Sequence, residues 1–461
     1  MVSLDMLIPI ILNASGGLNF GYNLTNATDV ISVLDDQYGW GISSLEQEII
    51  TSGLILGCCI SSFTAGWLAD RFGRKWIIIA SAILSTFGCL ISMASWEVVS
   101  MTIFRFVIGL GVGAMSAVVP MWTGEMVNSN IRGFMTGFFQ IMVTVGIMIA
   151  YLVGYAIKKT YNWRASYGCG GLFAFVSVVC VFWIRESTTW EKKVGKTQTS
   201  PSLLEEEDKE EEPKEIVGDE KVEEQPPANV SWSELAKNYP ICLTIAIVMP
   251  LGQQLCGINA LILYSTSIFE SCGYSTDTAS LMGVFGVGIV NFVCTVIGVP
   301  LSDKLGRRPL MLVGYTLVGI GNLIMFVSFS WLLDDPTTLA AVAIPGIVIF
   351  LFGFEIGPGP LYYIVMSELF PTEIKAKCFT LCNPILWFCN LLISMFFISV
   401  SDAIGTNICF LIFAIVSIAM FIILFSTLPE TKGKDLSEIH KMMKKSHPDS
   451  FSKDPELLEG F

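Results

Sequence analysis

The sequence predicts an all-α membrane protein: twelve transmembrane helices in two pseudo-symmetric six-helix bundles. Three observations predict it. The 461 residues are 53% hydrophobic and 15% charged, with a mean hydropathy of +0.64, more apolar than a soluble domain of this length needs. The apolar residues gather into twelve runs of spanning length. Charged motifs in the first half return in the same order in the second.

The runs lie near 4–25, 49–69, 76–96, 102–122, 134–157 and 166–185, then near 240–268, 280–301, 309–332, 340–365, 379–400 and 406–427. Each has about 20 residues or more, enough to cross about 30 Å of hydrocarbon. The first run has no basic leader before it and reads as a retained helix. The expected division is a first bundle over 1–190, an acidic linker over 191–238, a second bundle over 239–433 and a tail over 434–461.

Short loops that follow even-numbered spans hold Arg71, Arg74, Lys75, Arg132, Lys304, Arg307, Arg308, Lys375 and Lys377. The opposite loops read as holding Arg105, Lys158, Lys159 and Arg164 beside acids such as Asp35, Asp36, Asp334 and Asp335. This bias places both termini in the cytoplasm. Asn26-Ala27-Thr28 then forms an outward-facing glycosylation sequon close to the bilayer.

From Pro201 to Pro227 there are twelve Asp/Glu against three Lys, most of the net charge of −13. Such a stretch cannot bury a core and is expected to be largely disordered, with short helices at its flanks. Nucleic acid is not an expected partner; a small molecule and the lipid bilayer are. In the tail, Leu436, Ile439 and Met443 share one helical face. The thirteen cysteines sit mainly in apolar runs with no metal-ligand spacing, and the two histidines, His440 and His447, lie in the tail. No cofactor, metal centre or nucleophile–base set is expected, so an enzyme is the least favoured class.

Asp70-Arg71-Phe72-Gly73-Arg74-Lys75 returns as Asp303-Lys304-Leu305-Gly306-Arg307-Arg308, 233 positions later. Glu125 with Arg132 returns as Glu368 with Lys375 after 243 positions, and Glu186 as Glu430 after 244. A duplicated six-helix unit is the mark of secondary transporters that alternate access about a central site. Asp70, Arg74, Glu125, Arg132, Glu186, Asp303, Arg307, Arg308, Glu368, Lys375 and Glu430 are expected to form a salt-bridge clasp on the inner side. The competing reading is that the basic residues only set topology.

Within the spans, Gln253, Gln254 and Asn259 sit around Gly257, and Gln140, Asn291, Glu355 and Asn390 lie elsewhere. Amides in hydrocarbon are costly unless they meet a watered cavity or a polar partner. An uncharged amide cluster suits a neutral polyhydroxyl ligand, and Phe20, Phe354, Tyr363 and Trp387 supply rings against which a sugar face can stack. The competing reading is interhelical glue. Gly357-Pro358-Gly359-Pro360 is expected to break the tenth span.

With these motifs the chain resembles the sugar porters of the major facilitator superfamily over nearly its whole length. The resemblance rests on Gln253-Gln254-x-x-Gly257-Ile258-Asn259, Asp303-x-x-Gly306-Arg307-Arg308, Glu368-Leu369-Phe370-Pro371-Thr372-Glu373 and Pro429-Glu430-Thr431-Lys432-Gly433. It implies that Gln140, Gln253, Gln254, Asn259, Asn291, Glu355 and Asn390 contact a hexose, that Trp387 stacks on it, and that Tyr264 belongs to the outer gate. Several positions depart from the family pattern: Arg185-Glu186-Ser187-Thr188, Lys375, Tyr363, Leu386 and Leu263. Proton-driven members carry Asp at the coupling position, here Asn23, which cannot titrate. The expected function is facilitated hexose transport, with glucose first, in the plasma membrane. A proton-coupled sugar or polyol symporter and a non-transporting sugar sensor are the alternatives.

Overall fold

The computed structural model describes residues 4–127, 129–187, 190–191, 231–332, 335–370, 372–432 and 438–439. Among them the chain is helical, with no strand. The first half supplies α1 (Leu4–Thr25), α2 (Ser44–Phe72), α3 (Arg74–Ser92), α4 (Val98–Met126), α5 (Ser129–Thr160) and α6 (Trp163–Val179). In the second half, α7 is built from Pro240–Leu255, Ile258–Leu263 and Ser265–Ser271. Thr276–Met282, a π-helical Gly283–Ile289 and Val290–Leu305 make α8. Then come α9 (Arg307–Trp331), α10 (Pro336–Ile356 and Pro358–Leu369), α11 (Thr372–Ile404) and α12 (Thr406–Thr427). Two short helices, Ala27–Tyr38 and Trp232–Asn238, flank α1 and α7.

Ten helices among the described residues are long and apolar enough to cross a membrane. The remaining two are α1 and α6. α6 has 17 residues, and α1 buries Asn13, Asn19 and Asn23 on its inner faces. Large apolar side chains such as Phe63, Trp67, Phe87, Leu172 and Ile422 are exposed on the outside of the bundle, where water would penalise them and lipid does not.

The two halves pair their helices alike. α1 packs on α5 as α7 packs on α11, α3 on α6 as α9 on α12, and α2 on α4 as α8 on α10. Between the halves, the main contacts are α2 with α11 and α5 with α8. The internal repeat exchanges these two pairs. The end of the molecule that carries Asp70–Lys75 and Asp303–Arg308 is called the motif end below, and the other the far end.

Three expectations change. Arg105 is no loop residue. It lies in the second turn of α4, 0% exposed, and donates to the Ile50 carbonyl (3.0 Å), Asn26 Oδ1 (3.0 Å) and the Asn23 carbonyl (3.4 Å). A guanidinium with five donors can be dissolved by oxygens inside a bundle, which loop counting cannot foresee. Asn26 is therefore 2% exposed and engaged by Arg105, and Thr28 Oγ1 donates to the Leu263 carbonyl (2.7 Å), so the sequon is buried. Lastly, α5 and α11 begin at Ser129 and Thr372, several residues before their apolar runs, because helical hydrogen bonding continues past the hydrocarbon edge.

The acidic linker and most of the tail helix lie outside the described residues. Beside the linker, Trp232–Asn238 is helical behind a capping box of Ser231 and Glu234, and in the tail Ile439 is buried.

Candidate substrate site

Two helix breaks position the site. In α7 the helix stops at Leu255, and Gly257 takes φ +101°, a left-handed backbone that a side chain resists. In α10 the helix stops at Ile356, and Pro358 starts the next segment. The breaks meet: Gln253 Nε2 donates to the carbonyls of Pro358 and Gly359, both at 3.3 Å. Asn259 Nδ2 donates to Gln254 Oε1 across the α7 break.

Glu355 stands in the last turn before the α10 break. Its Oε2 accepts from Thr295 Oγ1 of α8 (2.8 Å), and Gln140 of α5 reaches the same carboxyl from the first bundle. Asn291 lies one turn before Thr295 on α8. Aromatic rings cross the boundary between bundles: Phe20 of α1 meets Trp387 of α11 at 5.1 Å between centroids, and Phe139 of α5 meets Tyr363 of α10 at 6.0 Å. Phe354 stacks on Phe350 within α10. Asn390 is buried on α11, and one to two turns earlier stands Asn383, a buried amide that the sequence reading passed over.

All eleven residues expected at the site are closed off from solvent, none more than 9% exposed. Yet Gln253 Oε1, Asn390 Oδ1 and both polar atoms of Asn291 have no hydrogen-bond partner among the described residues. An unpaired buried amide atom costs about 1–3 kcal/mol, and away from this set Asn13 Oδ1, Asn26 Nδ2 and Asn322 Oδ1 are also without a partner among the described residues. A cavity of about 470 Å³ between Cys272–Tyr274 and Pro336–Pro345 shares no residue with this set.

The charged motifs form two matching clusters at the motif end. Glu186 accepts from the Arg74 backbone N–H (2.8 Å) and so caps the start of α3, while Arg74 donates through Nε (3.1 Å) and Nη2 (3.2 Å) to Glu125 and pairs with Asp70 (2.9 Å). Glu430 accepts from the backbone N–H of Arg307 (3.0 Å) and Arg308 (3.1 Å), and Arg307 forks onto Glu368 through Nε (3.2 Å) and Nη2 (2.9 Å). Gly73 and Gly306 sit at φ +100° and +98°, facing Glu186 and Glu430 where a Cβ would collide with the carboxylate. Each described bond of these clusters joins helices of one bundle. The side chains of Arg132, Asp303 and Lys375 lie outside what the structure describes.

At the far end, by contrast, several of the described polar contacts cross between bundles. Besides Thr28 with Leu263, Tyr151 of α5 donates to the Ile262 carbonyl (2.7 Å) and lies 3.0 Å from Ser265 Oγ of α7. Glu48 of α2 accepts from the backbone N–H (2.9 Å) and Oγ (2.5 Å) of Ser399 on α11. Tyr264 is buried beside them, donating to the Ser394 carbonyl (2.6 Å) and stacked on Phe397 at 5.4 Å, both within the second bundle. The sequence reading missed Thr28, Tyr151, Glu48 and Ser399. Only Glu48, a carboxylate at the edge of a span, gave any signal.

Two six-helix bundles with paired interfaces around a buried set of amides and aromatic rings are the arrangement of a membrane transporter. Comparison with known proteins gives the family. The model of the sugar (and other) transporter family matches residues 10–443. The glucose transporter GlcP of Staphylococcus epidermidis is 30% identical over 434 residues, 93% of this chain and 95% of that protein. The arabinose-proton symporter of Bacillus subtilis is 30% identical over 440 residues, 93% and 92% of the two chains. In fold, the structure of the proton:xylose symporter XylE bound to 6-bromo-6-deoxy-D-glucose superposes with a TM-score of 0.77 at 21% identity, covering 95% of this chain and 98% of that one. The chain belongs to the sugar porter family of the major facilitator superfamily and is a multi-pass integral membrane protein.

Proposed function

We propose that the protein is a facilitative hexose carrier, with glucose its first substrate, working in the plasma membrane with both termini in the cytoplasm. The two bundles rock about the pocket lined by Gln140, Gln253, Gln254, Asn259, Asn291, Glu355 and Asn390. Phe20, Phe354, Tyr363 and Trp387 form its apolar walls. Tyr264 belongs to the outer gate, and the clusters around Arg74 and Arg307, with Arg132 and Lys375, brace the inner side. One observation carries this reading: four amide atoms, on Gln253, Asn291 and Asn390, are closed in without a partner among the described residues. A hexose brings hydroxyls that both donate and accept, and it brings no charge. The name of the similar GlcP protein supports glucose.

Uniport is supported by Asn23 at the coupling position, whose Nδ2 donates to the Asn19 carbonyl (3.0 Å) and Oδ1 (2.8 Å) and holds no exchangeable charge. The second reading is proton symport. It is favoured by Glu355, a carboxyl buried among neutral partners, and by similar proteins named as symporters of arabinose and galactose with protons. Proteoliposomes decide between them. Uniport predicts glucose equilibration to the outside level whatever the proton gradient. Accumulation driven by an inward gradient establishes symport, and a lack of flux for glucose, fructose and inositol alike removes the hexose carrier.

A further inference from the structure

Glu48 is the one far-end group, among the described residues, that joins the bundles through both oxygens of a carboxylate. It lies in the second turn of α2 and is 1% exposed. Its only described partners are the N–H and hydroxyl of Ser399, near the far end of α11. Among the described residues no basic group pairs with it. Tyr264 stands nearby, with its hydroxyl committed to Ser394. A carboxylate shut in this way is tolerated only while its two donors stay in place. Parting α2 from α11 removes both donors in one movement and leaves water to replace them.

The rest of the rim is built on the same plan. Tyr264 interrupts α7 between its segments Ile258–Leu263 and Ser265–Ser271, right after the Ile262 and Leu263 carbonyls. Tyr151 and Thr28 from the first bundle donate to those two carbonyls. The Tyr151 ring rests where Gly283 and Gly288 of the π-helical stretch leave room for it. The first bundle thus offers donors to the break in α7 and an acceptor to α11.

We propose that Glu48 is the latch of the gate at the far end. By gripping Ser399 across the bundle boundary it holds that rim closed over the pocket, and its release is a required step when sugar enters from that side. The need for the rim to open rests on the carrier reading above. The latch itself is a statement about distance and is tested without sugar.

Spin labels are introduced through genetically encoded amino acids at Leu45 and Ile404, exposed positions at the far ends of α2 and α11, because the chain holds thirteen cysteines. Pulsed dipolar spectroscopy then reads the distance distribution of the full chain in lipid nanodiscs. Glu48→Ala is expected to shift the closed-to-open ratio at least tenfold toward the longer distance, while Glu48→Gln, which keeps an acceptor oxygen, stays near the parent. Ser399→Ala, losing the hydroxyl donor alone, falls between them and serves if Glu48→Ala does not fold. In uptake assays, Glu48→Ala lowers the KM for outside sugar and lowers Vmax, since opening becomes easier and closing harder. A distance distribution unchanged in both Glu48→Ala and Ser399→Ala overturns the latch. A shifted distribution in a protein that moves no sugar keeps the latch and overturns the carrier reading.

Discussion

Asn291 carries two polar atoms that no described neighbour answers. If its place is kept for a ligand, the empty protein bears a cost of about 1–3 kcal/mol there. Asn291→Leu should therefore melt at a higher temperature than the parent without sugar, yet bind glucose about fivefold more weakly, the loss of one hydrogen bond worth about 1 kcal/mol. Scanning fluorimetry with and without sugar measures both. A lower melting temperature would mark Asn291 as glue. Arg105 supports a second prediction. It is dissolved by neutral oxygens, two of them on Asn23 and Asn26. Arg105 meets Asn23 through its backbone carbonyl, while the Asn23 side chain lies against Asn19 and Cys89. Asn23→Asp therefore sets a titratable group next to that network, and uptake should become dependent on external pH where the parent's is not. Identical pH profiles would remove Asn23 from coupling. At this scale the sequence was legible where residue type and surroundings clash, as with Gln254 and Asn259 in an apolar run. Tyr151 and Thr28 stayed hidden because neither residue type is out of place in a membrane helix, and what matters about them is a carbonyl more than a hundred positions away.

Helices show the same division between what is local and what is not. The breaks at Gly257 and at Gly357-Pro358 were readable, since glycine and proline act on their own backbone. That the two breaks touch through Gln253 was not, nor was the π-helical stretch of α8, which no local pattern announced. The paired charge motifs predicted the clusters at the motif end, but their placing within each bundle needed coordinates. Gly306→Ala is expected to cost about 1–3 kcal/mol from its backbone region alone, before the collision with Glu430 is counted. Gly73→Ala should cost a similar amount through Glu186, and matched falls in melting temperature would measure the equivalence of the two copies.

For the molecule as a whole, the repeat of charged motifs at nearly one spacing made two bundles legible, whereas the packing of one bundle on the other left no trace in the sequence. The exchange of the α2–α11 and α5–α8 interfaces under the repeat has a mechanical consequence. A tilt of one half against the other loosens both seams at one rim and presses both together at the opposite rim. In the carrier proposed above, what the far-end rim gives up in burial the motif-end rim takes on, as in a see-saw. A few kilocalories at either rim, such as one carboxylate gaining or losing its serine, then suffice to set which way it rests.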